Sequence, residues 1–226
     1  MDSTIVLITA ANRGLGKGLL ELYLARPYHT IVAGVRNPHH STSKALAKLP
    51  KAESTSLLII KIESTVETDS ADGMKQLASQ GINSIDILIA NAGIAYIWPK
   101  VFELRVEDMQ KHIDVNVYGV TWLYQATLPL LKKAKSLIWV SLGTSAAYIT
   151  VGDNITQCNC FLWLTGTFGM SCSRSLERPS SILTIRREMI ALPNATYALS
   201  KFVIHYLTKE IHNEEPQLTA FSLDPG

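Results

Sequence analysis

The chain has 226 residues, enough for one large α/β domain with a sizeable buried core. A hydrophobic fraction of 47% excludes a disordered polar chain, and a net charge of +2 gives no electrostatic case for nucleic acid as a partner. No apolar run reaches the roughly 18 residues of a membrane span, Met1-Asp2-Ser3-Thr4 lacks the basic start of a secretory signal, and three cysteines confined to residues 158–172 suit a reducing, cytoplasmic setting rather than a disulfide framework.

Apolar runs of strand length alternate with amphipathic stretches. Ser3 to Thr9 reads as a first strand, followed by a helix carrying Leu15, Leu19, Leu22 and Tyr23 at helical spacing and stopped by Pro27. His29 to Val35 is a second strand, Ser43 to Leu49 a short helix, and Leu57 to Ile62 a third strand. A helix from Asp69 to Gln80 closes at Gly81, and Ile85 to Ala90 is a fourth strand. Glu107 to Lys133 reads as one long helical stretch with a bend near Pro129, Leu137 to Ser141 as a fifth strand, Ala195 to Asn213 as a helix, and Leu218 to Leu223 as a sixth strand. Continuously apolar strands alternating with helices predict a parallel sheet covered on both faces, a Rossmann-like doubly wound α/β architecture. No linker divides the chain, so residues 1–226 read as a single domain.

Residues 151–185 break this rhythm. They hold all three cysteines, nine serines or threonines and only four charges, with no period of 2 or 3.6. The atypical insertion, about 151–187, is either a genuine substrate loop or translated non-coding sequence such as a retained intron. Its cysteine spacing fits no usual zinc pattern, so no metal is expected.

Between the first strand and the first helix lies Thr9-Ala10-Ala11-Asn12-Arg13-Gly14-Leu15-Gly16. A dinucleotide pyrophosphate needs amides at a helix N-terminus and small residues that let it approach, and Gly14 and Gly16 meet that need, although glycines also serve ordinary turns. Arg13 and Arg36 follow the first and second strands, where an acid would pair with the ribose hydroxyls of NAD. Two guanidiniums suit a 2′-phosphate instead, so NADP is favoured over NAD unless both are plain surface arginines. Tyr197 and Lys201 stand four apart at the start of the last long helix, so phenol and ammonium share a face. A nearby cation favours the phenolate and fits tyrosine for proton transfer, while the same spacing also occurs on exposed helix faces.

Together these motifs resemble the short-chain dehydrogenase/reductase family over residues 3–150 and 190–226. Thr9 to Gly16 looks like its TGxxxGxG loop with Ala10 at the first glycine. Ala90-Asn91-Ala92-Gly93 looks like NNAG, Asn116 matches the family's helical asparagine, Tyr197 and Lys201 its YxxxK pair, and Asp224-Pro225-Gly226 its PG motif. Ile89 to Gly93, Ala33 to Arg36 and Pro193 to Tyr197 look most like fungal ketoreductases of the norsolorinic acid type. The resemblance implies a hydride transfer between NADP(H) and the carbonyl of a small molecule, with an aromatic polyketide ketone as one candidate. Tyr197 would protonate the alkoxide, Lys201 would lower the tyrosine pKa and bind the nicotinamide ribose, and Asn116 would hold a water leading to solvent. Thr9, Asn12, Arg13, Gly14, Leu15, Gly16, Arg36, Asn91, Ala92 and Gly93 would line the cofactor with Tyr197 and Lys201, and Glu63 would contact the adenine. A homodimer or homotetramer is implied by analogy.

Three departures stand against activity. The family's serine after the fifth strand is replaced by Leu142, leaving Ser141, Thr144 or Ser145 as substitutes, with Ser141 preferred. Ser141 precedes Tyr197 by 56 positions where the family has about a dozen. Family members also continue beyond the position of Gly226, so the expected sheet lacks its C-terminal strand. The second reading is therefore a catalytically silent Rossmann-fold dinucleotide-binding protein, a truncated or mis-spliced paralogue.

Overall fold

The structure, a computed structural model, describes residues 3–147 and 194–225; the insertion at about 151–187 lies outside the described residues. The apolar runs become six parallel strands: β1 Thr4–Thr9, β2 His29–Val35, β3 Ser56–Lys61, β4 Ile87–Ala90, β5 Ile138–Leu142 and β6 Thr219–Leu223. Between them run α1 Gly14–Leu24, α2 Ser41–Leu46, α3 Asp69–Ser79, α4 Val106–Ile113, α5 Gly119–Leu131 and α6 Tyr197–Glu214. The strand order is β3-β2-β1-β4-β5-β6, so the winding reverses between β1 and β4. Val6 to Ile8 lie in register with Ile87 to Ile89 across that seam. In doubly wound sheets a ligand crevice opens beyond the carboxyl ends of the strands at this reversal, here beyond Thr9 and Ala90.

Each face of the sheet carries its own core. Leu7, Val32, Leu88 and Trp139 pack with α3, α5 and α6 through Leu77, Leu123, Leu131, Ile204 and Ile211. Val6, Ile8, Ile31 and Val140 face the opposite way, toward Leu20 and Leu24 of α1 and Leu46 of α2. Trp139 is fully buried with Tyr124 edge-on to it, ring centroids 5.3 Å apart. Burying one such side chain contributes about 2–3 kcal/mol against the entropy of ordering it.

The expected elements are present, with shifts that have local causes. α2 starts at Ser41 because the His40 side chain accepts the Thr42 N–H as its N-cap, and Lys48 and Leu49 continue from its end as three-residue turns. β4 begins at Ile87 because the Ile85 N–H turns to the Leu130 carbonyl. The long stretch after β4 is interrupted near its start, not at Pro129. Asp114–Tyr118 forms one π-helical turn between α4 and α5, and Pro129 sits inside α5 two residues before its end. Such wide turns are frequent at functional positions, and this one carries Asn116. Among the described residues no helix is long and apolar enough to cross a membrane, and no group of His, Cys, Asp or Glu could hold a metal ion.

Candidate active site

The end of β1 is tied to the end of β4. The Thr9 hydroxyl accepts the Asn91 and Ala92 N–H groups at 3.0 and 2.9 Å, and Asn91 Nδ2 returns a bond to the Thr9 carbonyl at 2.8 Å. Gly16 fits under this clasp because it has no side chain: a Cβ there would lie 2.6 Å from the Ala10 carbonyl oxygen and overlap Asn91 Nδ2. α1 starts with neither a side-chain cap nor an acid in its first turn, so its positive end is uncompensated. This cradle fits a pyrophosphate. Arg13, Gly14 and Leu15 are exposed along it, and Asn12 Nδ2 braces it against α2 through Thr42 Oγ1 at 2.7 Å. Ala10, at the family's first glycine, holds φ +51°, a left-handed conformation that costs a residue with a Cβ about 1 kcal/mol.

At the ribose end, Arg36 Nε lies 3.7 Å from Glu63 Oε2. The two residues, expected as separate cofactor contacts, pair with each other. With the arginine side chain 74% exposed, the pair contributes roughly 0–1 kcal/mol and readily yields to a stronger anion.

Tyr197 opens α6, and Lys201 Nζ sits 5.7 Å from the centroid of its ring. Asn116 is fully buried. Its Oδ1 accepts the Ile94 N–H at 2.8 Å, and its Nδ2 donates to the Ile94 carbonyl at 3.0 Å and to Ser200 Oγ at 2.9 Å. The Ser200 hydroxyl in turn donates to the Tyr197 carbonyl at 2.7 Å. Gly93 closes the group: a Cβ on it would lie 3.2 Å from Asn116 Oδ1 and 3.4 Å from Lys201 Nζ. Gly93, Asn116, Tyr197 and Lys201 therefore converge beyond the β1–β4 seam.

The model of the short chain dehydrogenase family matches residues 4–147. The chain belongs to that family. It is 35% identical over 224 residues to the norsolorinic acid ketoreductase nor1 of Dothistroma septosporum, covering 99% of this chain and 71% of that one. It is 33% identical to the norsolorinic acid ketoreductase stcE of Emericella nidulans, covering 99% and 72%. Its fold is that of the NADPH-bound carbonyl reductase from chicken fatty liver, with a TM-score of 0.73 at 22% identity, over 100% of this chain and 80% of that one.

Measured against the short-chain dehydrogenase pattern, two expectations need correcting. The Tyr197 phenol is displaced in the direction opposite to the one expected of a dominant Lys201. Burial, and then the Asp224 carboxylate, push that phenol above its ordinary value. Lys201 directs its ammonium to the Leu142 carbonyl at 2.6 Å, and burial lowers it to about 8. Ser141, the preferred replacement for the family serine, faces the wrong side of β5. Its hydroxyl accepts Trp139 Nε1–H at 2.8 Å and shares a 2.9 Å bond with the Thr208 hydroxyl, about three helical turns beyond Tyr197 along α6. Leu142, its neighbour, packs into the opposite core. We expect Ser141→Ala to lower stability by about 1–3 kcal/mol in urea unfolding, since it orphans a buried indole N–H. A serine acting on the substrate would instead show as lost kcat at unchanged stability.

Sequence reasoning missed Ser200, His205 and Asp224. His205 lies one turn beyond Lys201, and its Nε2 accepts the Thr144 N–H at 3.1 Å. Asp224 Oδ2 accepts the Ser145 N–H at 2.6 Å. Helical spacing from Lys201 was a signal that could have found His205, whereas the fold was needed to place Asp224.

Proposed function

We propose that this chain is an NADP(H)-dependent ketoreductase, one dinucleotide-binding domain over residues 1–226 with its insertion at 151–187, acting on a ketone of the aromatic polyketide class. The observation that carries it is the convergence of Tyr197, Lys201 and Asn116 on Gly93 beyond the β1–β4 seam. The reduced dinucleotide, when bound, supplies a hydride to the substrate carbonyl carbon. Gly14 and Gly16 at the α1 N-terminus would hold the pyrophosphate, and Arg13 and Arg36, with Glu63 beside them, would take the 2′-phosphate. Tyr197 gives its proton to the forming alkoxide. Lys201 orients the ribose, and Asn116 with Ser200 holds the start of α6 in place. The relatives named as norsolorinic acid ketoreductases support the polyketide assignment. The protein works in the cytoplasm as a homodimer or homotetramer, joined through the α5–α6 side where Tyr118, Phe202 and Tyr206 are exposed.

Leu142 at the serine position favours a second reading, a protein that binds the dinucleotide without turning over ketone. NADPH fluorescence titration and ketone-dependent loss of absorbance separate them: binding without turnover selects the second, and no binding removes both. We expect Arg36→Ala to weaken NADPH binding about tenfold while leaving NADH unaffected, because a charge-assisted phosphate contact is lost. Equal loss for both nucleotides would count against a 2′-phosphate contact.

A further inference from the structure

The exit of β5 is gripped at four consecutive residues. The Leu142 carbonyl takes Lys201 Nζ at 2.6 Å. The next three amides go in turn to the Leu223 carbonyl from Gly143 at 2.8 Å, to His205 Nε2 from Thr144 at 3.1 Å, and to Asp224 Oδ2 from Ser145 at 2.6 Å. The two α6 contacts are one helical turn apart, so Lys201 and His205 hold the strand end together. Gly143 is shaped to this arrangement, for a Cβ on it would overlap His205 Nε2.

We infer that His205 is a positioning residue: as a neutral imidazole it fixes Gly143 and Thr144 at the exit of β5, and through them the carbonyl that seats Lys201. Its consequence for turnover rests on the ketoreductase reading; the clasp itself does not. Accepting an amide at Nε2 requires the proton on Nδ1, and an imidazolium has no acceptor left. Protonation would strip Thr144 of its partner and set a second cation beside Lys201. Among the described residues, the charged groups acting on the ring are Lys201 on its own helix and Asp224 after β6, and they act in opposite directions. Burial and Lys201 hold the imidazole below its ordinary value, so the clasp stays closed at neutral pH and opens as pH falls below the usual histidine range.

The test uses the whole chain with two variants. His205→Gln supplies a carbonyl acceptor that does not titrate, whereas His205→Leu supplies none. Histidine ring nitrogen spectra should show the Nδ1–H tautomer, and protection of the Thr144 amide from exchange should fall on the acid side in the wild type and persist in His205→Gln. In kcat/KM, the wild type should show an acid limb that His205→Gln lacks, and His205→Leu should sit about tenfold lower across the range. An acid limb retained in His205→Gln, an Nε2–H tautomer, or Thr144 protection independent of pH in the wild type would overturn the inference. If no variant turns over ketone while Thr144 protection still follows the imidazole, the clasp stands and the ketoreductase reading fails.

Discussion

Replacing Tyr197 by phenylalanine is expected to lower kcat for ketone reduction by about 10²–10⁴-fold and to change the NADPH dissociation constant by less than about threefold, the scale of losing one general acid. The ring is half of what Tyr197 contributes, since Lys201 packs against its face and burial surrounds it, and phenylalanine keeps that packing. The hydroxyl has no hydrogen-bond partner among the described residues, so its removal should leave the unfolding midpoint in place and isolate the proton transfer. Among the described residues the other polar side chains near the ring are already engaged, and Lys201 is given to the Leu142 carbonyl. His205 accepts from Thr144, Asp224 accepts from Ser145, and Ser200 donates to the Tyr197 carbonyl. Burial and Asp224 keep Tyr197 in its proton-bearing form, the form that reduction needs. The assay is a steady-state comparison of both proteins on one ketone with NADPH binding measured in parallel. Turnover within tenfold of the wild type would remove Tyr197 from the chemistry.

The strands were legible because a buried parallel sheet demands continuous β-branched and leucine runs, and His29–Val35 matched its run at both ends. Helix ends were less so. The start of α2 depended on a histidine cap, an uncommon residue for that task. The π-turn at Asp114–Tyr118 left no trace in composition, since one extra residue in a helical ladder changes hydrogen bonding without changing which residues are apolar. In the candidate site, Gly14, Gly16, Tyr197 and Lys201 stood out by spacing because each lies with its partner in one loop or one helix. Ser141 was misread because two adjacent strand residues face opposite layers, and Trp139 two positions earlier already marked its face as core. The Arg36–Glu63 pair joins the ends of β2 and β3 and becomes visible only once those strands are known to be neighbours.

Asn116→Ala is expected to cost about 2–4 kcal/mol of stability as well as turnover. The amide is fully buried and makes three hydrogen bonds, so alanine leaves the part-buried Ile94 N–H and Ile94 carbonyl without that partner, while the Ser200 hydroxyl keeps its bond to the Tyr197 carbonyl. Each buried polar group so stranded costs about 1–3 kcal/mol, and relaxation of the loop prevents the full sum. Against a typical total of about 5–15 kcal/mol, that loss is a large share of the stability. Asn116→Asp separates geometry from polarity: a carboxylate still accepts the Ile94 N–H but cannot donate to the Ile94 carbonyl, and it adds a charge with no solvent. It should therefore be no better than alanine despite its shape. Urea unfolding reads both as a shift of midpoint at constant slope. A loss under about 1 kcal/mol for Asn116→Ala would mean that the amide is not what joins Gly93, Ile94 and the first turn of α6, and the convergence on which the active site depends would need another anchor.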